Sequence, residues 1–152
     1  MLVALPQEAL SKIYKLRETT QGETKISYPR DVFRYISAYL STLDIVEQEK
    51  EREFVIGLDT RNKVKYIDIV SVGSLNASLV HPREVFRTAI LVGVAQIILA
   101  HNHPSGDPYP SEDDVEITKK LVEAGKIIGI EVIDHVIIGK EKYISLKEKG
   151  IL

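Results

Sequence analysis

The chain contains no cysteine, and that absence removes a great deal of chemistry. Disulfides, thiol nucleophiles and every cysteine-liganded zinc site are excluded, together with the Pro-Cys-x-x-Cys segment that zinc deaminases require. An excess of positive charge is missing as well. Twenty Lys and Arg face 22 Asp and Glu, a formal net charge of −2, so no general basic field exists to draw in nucleic acid. The basic residues are scattered among comparable numbers of acids, as at Lys12, Lys15 and Arg17 or Lys119 and Lys120, a distribution typical of solvated helix faces. Long apolar runs are absent too, and Met1–Pro6 carries no basic leader. Neither a secretory signal nor a membrane anchor is therefore expected, and the cytoplasm is the expected compartment.

What remains is an ordinary globular composition. At 152 residues, with 44% hydrophobic and 28% charged side chains, the chain can bury a full core in one domain. A helix is predicted after Pro6, with Ala9, Leu10, Ile13 and Leu16 near helical spacing. A second is predicted after Ser27 and Pro29, carrying Val32, Phe33, Ile36, Leu40 and Leu43 on one stripe. Residues 1–46 thus read as a helical segment preceding a catalytic domain over 47–152. A charge-dense stretch, Glu47 to Glu53, leads into a strand at 54–58, and the turn at 59–63 returns the chain in a second strand over 64–72. Pro82 marks the first turn of a helix to about Val92, with Val85, Ala89 and Val92, flanked by Phe86 and Ile90, as its buried face. A strand at 95–100 follows, then a helix from Ser111 that Gly129 caps and Gly125 weakens near its end. Strands at 132–138 and 143–145 complete an α/β (α+β) pattern with a mixed sheet.

The chemistry concentrates in residues 101–114, His-Asn-His-Pro-Ser-Gly-Asp-Pro-Tyr-Pro-Ser-Glu-Asp-Asp. At the end of an apolar strand, positions i and i+2 share a face, so His101 and His103 project together. Asp114 falls in the first turn of the next helix and can swing back over them. Two imidazoles and a carboxylate suit a catalytic zinc site that keeps a fourth position for water, whose pKa drops to roughly 7. An acid must still move that water's proton, and Glu47, Glu49, Glu51 and Glu53 all qualify by position. Ser111 is placed to cap the helix, with an oxyanion contact as a second role. His81 precedes Pro82 at a helix start, and His135, within Ile133-Asp134-His135-Val136, reads as a hydrogen-bonded core residue or one that supports a ligand.

His101-x-His103, seven residues and Ser111-x-x-Asp114 resemble the JAMM (MPN+) zinc metalloprotease motif. The longer similarity is to the RadC-like branch of that superfamily, over about residues 50–152. It includes Leu58-Asp59-Thr60, Gly73-Ser74-Leu75-Asn76-Ala77-Ser78, Val80-His81-Pro82-Arg83-Glu84, the run from Ile98 to Asp107 and Asp134-His135-Val136-Ile137-Ile138-Gly139. The resemblance implies a mixed sheet flanked by helices, a JAB/MPN-like (cytidine-deaminase-like) core. It implies zinc on His101, His103 and Asp114, Ser111 supporting the oxyanion, and a peptide or isopeptide substrate. It places the general base at Glu51, with Glu53 as the fallback. Many RadC-like proteins also carry a helix-hairpin-helix region, whose glycines this sequence lacks. The branch name carries an association with DNA repair, giving the rival expectation of an accessory protein on nucleic acid with an idle or structural metal site. A pseudoenzyme scaffold ranks last, because no ligand is missing.

Overall fold

The computed structural model describes residues 25–73 and 80–152. The helix read after Pro6 and the irregular stretch around Asn76 lie outside the described residues. Those described form α1 (Pro29–Ser41), α2 (Ile45–Gln48), β1 (Glu51–Leu58), β2 (Val64–Gly73), α3 (Pro82–Val92), β3 (Gln96–Asn102), α4 (Glu112–Ile128), β4 (Glu131–Ile138) and β5 (Tyr143–Ser145). The strands make one mixed sheet in the order β2-β1-β3-β4-β5, in keeping with the predicted α+β class. β1 pairs antiparallel with β2 and β3, β3 runs parallel to β4, and β4 pairs antiparallel with β5. A parallel neighbour requires a crossover, and α4 supplies it between β3 and β4.

β1 and β3 are buried along nearly their whole length, as central strands covered on both faces must be. Alternation divides their side chains between two interiors. Val55, Ile97 and Leu99 pack with Val85, Phe86, Ala89 and Leu121 beneath α3 and α4. Phe54, Ile56 and Ile98 pack with Val32 and Ile36 beneath α1 on the other face. Of the stripe predicted for α1, Val32 and Ile36 are buried while Phe33 and Leu40 are half-buried. The α3 face also differs from the predicted one. Thr88 is buried and bonds the Asp68 carboxylate at 2.7 Å, whereas Ile90 and Val92 are exposed. Val85, Phe86 and Ala89 suffice to seat the helix, so the apolar residues of its last turn are left facing out.

Local chemistry fixes the element ends. The Asp31 carboxylate accepts from the Ser27 and Tyr28 amides, each at 2.9 Å, satisfying donors at the start of α1. In the β1–β2 hairpin Asp59 Oδ1 accepts from the amides of Arg61 at 2.8 Å and Lys63 at 3.0 Å, and Asn62 takes a positive φ of 62°. β1 starts at Glu51, earlier than the apolar pattern indicated, because Arg52 and Glu53 are themselves buried.

Candidate metal centre

β1 and β3 are antiparallel, so the start of one lies beside the end of the other. The register pairs Glu53 with His101; continued two residues, it brings Glu51 opposite His103. His101 is the penultimate residue of β3 and fully buried, and His103 follows just past the strand end. The His103 amide donates to the Ile138 carbonyl at 2.8 Å, which holds the turn against β4. Its Nδ1 faces the Asp107 carbonyl at 2.8 Å. A carbonyl only accepts, so Nδ1 carries the proton and the neutral ring leaves Nε2 bare.

α4 delivers the third group. Ser111 is its N-cap, accepting from the Asp114 amide at 3.1 Å while Asp114 Oδ2 accepts from the Ser111 amide at 2.7 Å. This reciprocal cap aims Asp114, which is 5% exposed, back across the strand end. Asp114 Oδ1 lies 3.2 Å from His101 Nε2, Oδ2 lies 3.3 Å from His103 Nε2, and the two Nε2 atoms are 2.9 Å apart. Ligands about 2.0–2.1 Å from a tetrahedral ion stand about 3.3 Å from one another. These separations are of the size that donors around a tetrahedral cation show. The donors also suit such a cation, since bare imidazole nitrogen would otherwise face carboxylate oxygen.

Two further carboxylates flank these donors. Glu51 Oε1 lies 3.7 Å from His103 Nε2 and its side chain is 20% exposed. Glu53 is sealed behind the rings, with Oε2 3.7 Å from His101 Nδ1 and Oε1 3.7 Å from His135 Nε2. Its Oε1 has no hydrogen-bond partner among the described residues. Glu51, His101 and His103 form one group whose ligand atoms could hold a metal ion; Glu53, His101 and His135 form another.

The electrostatics follow from burial and proximity. Burial pushes the Glu53 carboxyl well above the usual carboxylate range, and the charges of Asp114 and Glu51 push it further. Burial also raises Asp114, but the adjoining His101 and His103 rings more than offset this and hold it well below its ordinary value. The bond to Asp114 raises His103, so a proton and a cation compete for the same Nε2. Burial keeps His135 neutral far below the usual histidine range, with the neighbouring His101 acting in the same direction.

The structure thus brings together His101, His103, Asp114, Ser111, Glu51 and Glu53. Glu47 instead pairs with Lys50 and with the buried guanidinium of Arg52. His81 is the N-cap of α3, with no side-chain capping bond. Sequence reasoning missed Asn102, whose Oδ1 accepts from the Arg52 amide at 2.8 Å and whose Nδ2 donates to the Lys50 carbonyl at 3.1 Å. This buried amide ties the backbone on either side of Glu51 to the strand carrying the histidines. The Asn between two motif histidines was the available signal.

Fold and site together define a mixed-sheet α+β domain with a His/Glu cluster that could hold a metal ion where β1 and β3 meet. The chain belongs to the family described as RadC-like JAB domain, whose profile matches residues 13–151. It is 48% identical over 132 residues to a UPF0758 protein of Methanosarcina mazei, covering 87% of this chain and 56% of that one. It is 52% identical over 137 residues to a UPF0758 protein of Caldanaerobacter subterraneus subsp. tengcongensis, covering 90% and 57%. A UPF0758 protein of Clostridium botulinum is 47% identical over 146 residues, covering 95% and 62%. The chain therefore spans somewhat more than half the length of these relatives. Among the described residues no helix is long and apolar enough to cross a membrane.

Proposed function

We propose that the chain is a zinc-dependent hydrolase of the JAMM type that cleaves an amide bond in a peptide or isopeptide, with His101, His103 and Asp114 as the metal ligands. The observation that carries this reading is the approach of their donor atoms, the two Nε2 atoms 2.9 Å apart with Asp114 Oδ1 3.2 Å from one and Oδ2 3.3 Å from the other. Zinc held there would polarise water and a substrate carbonyl, lowering the water's pKa to roughly 7.

The remaining work falls to the chain's own groups. Glu51 has the better claim to the proton transfer. It flanks His103 Nε2, the ring nitrogen on the ligand side, and is partly open to solvent, so it can take a proton from water and hand it to the leaving amine. Glu53 faces His101 Nδ1 instead, behind the ring and sealed from solvent. The Ser111 oxygen accepts from the Asp114 amide, which leaves its O–H proton to donate to an oxyanion forming on the substrate.

Metal analysis of chain prepared without a histidine tag is expected to find about one zinc per chain, lost in His103→Ala. Glu51→Gln should retain the zinc and lose roughly 10²- to 10⁴-fold in hydrolysis of peptide and isopeptide libraries. A chain that takes up no zinc even after supplementation would remove the proposal; full activity in Glu51→Gln would reassign the base.

A further inference from the structure

His135 sits on β4, parallel to β3 and in register with Leu99, and it is fully buried. Its Nε2 lies 2.8 Å from His101 Nδ1, and its Nδ1 lies 2.6 Å from Thr118 Oγ1. Thr118, also buried, in turn lies 2.5 Å from the backbone carbonyl of Asp114, one turn back along α4. The direction of each proton follows from two facts: the Asp114 carbonyl can only accept, and full burial favours a neutral His135 ring. Thr118 has a single hydroxyl proton, and two oxygens at that separation repel unless it lies between them, so Thr118 donates to the carbonyl. The hydroxyl oxygen then accepts from His135 Nδ1–H. A neutral His135 with its proton on Nδ1 offers a bare Nε2, which accepts from His101 Nδ1–H. His101 is left with its lone pair on Nε2, pointing at Asp114 and His103.

We infer that Thr118 and His135 are positioning residues that fix the tautomer and ring orientation of His101. They form a buried hydrogen-bonded chain from one ligand-bearing element to the other, Asp114 carbonyl, Thr118, His135 and His101, whose bare Nε2 then faces the Asp114 carboxylate. A metal-bound imidazole ordinarily hands its second N–H to a carboxylate or carbonyl; here a second, neutral imidazole takes it, although the Glu53 carboxylate lies only 3.7 Å from the same Nδ1. The inference rests on the metal-ligand reading above and extends it to residues outside the motif. It also decides against a second cation held by Glu53, His101 Nδ1 and His135 Nε2, because the proton on Nδ1 occupies the place such an ion would take.

The test reads tautomer and affinity separately, on the whole 152-residue chain. Long-range ¹⁵N–¹H spectra of the labelled imidazoles should place the His135 proton on Nδ1 in both zinc-loaded and chelator-treated protein. A proton on Nε2 overturns the relay with no variant needed. Thr118→Val, close in shape and lacking only the hydroxyl, should shift part of the His135 population to the Nε2–H form. It should also weaken zinc binding about tenfold or more in chelator competition, and Thr118→Ser should restore both. Unchanged zinc affinity in folded Thr118→Val overturns the relay while leaving the metal site standing. So does a stoichiometry of two zinc per chain with the second lost in Glu53→Gln. A wild-type chain that binds no zinc defeats the site reading and this inference together.

Discussion

Tyr66 sits opposite Gly57 in the β1–β2 pair. A Cβ at residue 57 would fall 1.9 Å from the Tyr66 ring, so the ring occupies the space that only glycine leaves. The ring is 1% exposed, and its hydroxyl has no hydrogen-bond partner among the described residues. A buried hydroxyl without a partner costs stability rather than adding it, so Tyr66→Phe is expected to unfold at the same temperature as wild type or higher. Burial also pushes the Tyr66 phenol far above its ordinary value, with Asp68 adding to the shift. An acid whose folded pKa is raised leaves the native state holding more protons than the unfolded chain. Its contribution is therefore fully present below about pH 10, the unfolded value, and is lost as pH climbs from there toward the folded value. Thermal melts between neutral pH and about pH 11 should show a steeper alkaline loss in wild type than in Tyr66→Phe. Parallel profiles would show that the phenol ionises without unfolding cost.

Gly125 makes the corresponding point for a whole element. Intrinsic propensity says that alanine should improve α4 there by about 1 kcal/mol, which is why the sequence marks the last turn as weak. In the fold the helix runs through Ile128 and Gly129 caps it in the left-handed region, φ 81°. The chain then reverses so closely that a Cβ on Gly125 would stand 2.4 Å from the Ile130 carbonyl. The Ile130 amide also returns to the Gly125 carbonyl at 3.0 Å. Steric overlap outweighs propensity, so Gly125→Ala is expected to destabilise by roughly 1–3 kcal/mol, measured by urea melts; a stabilised variant would show that the turn gives way. The same contrast marks what could be read in advance. Spacing within one element was legible: His101 and His103 at i and i+2, the Ser111 cap three residues before Asp114, the β1–β2 hairpin and the Pro82 helix start. Contacts across elements were not. His135 reaches His101 only because β4 lies beside β3, and that adjacency leaves no trace in local periodicity. Asn102 bonds across to β1 for the same reason, and the difference in exposure between Glu51 and the sealed Glu53 is likewise set by packing rather than by spacing.

At the scale of the molecule the proposed ligand set would make the centre a clamp. It would join the end of β3 to the start of α4, with β1 alongside, so a cation bound there would favour the one arrangement in which all three elements are in place. Ligand that binds only the native state stabilises it by RT ln(1 + [L]/Kd), about 2.7 kcal/mol at a free concentration of 100 Kd. For a chain of this length that corresponds to a rise in Tm of roughly 5–10 °C. Binding to the unfolded chain would erode the gain, but with no cysteine and four histidines that competition is weak, so most of the linkage should appear in the melt. Zinc is therefore expected to raise Tm, a chelator to reverse the rise, and His101→Ala or Asp114→Asn to abolish it, each variant compared with its own chelated melt. An equal rise in wild type and both variants would mean that zinc binds elsewhere on the surface, and the three residues would lose their claim as ligands.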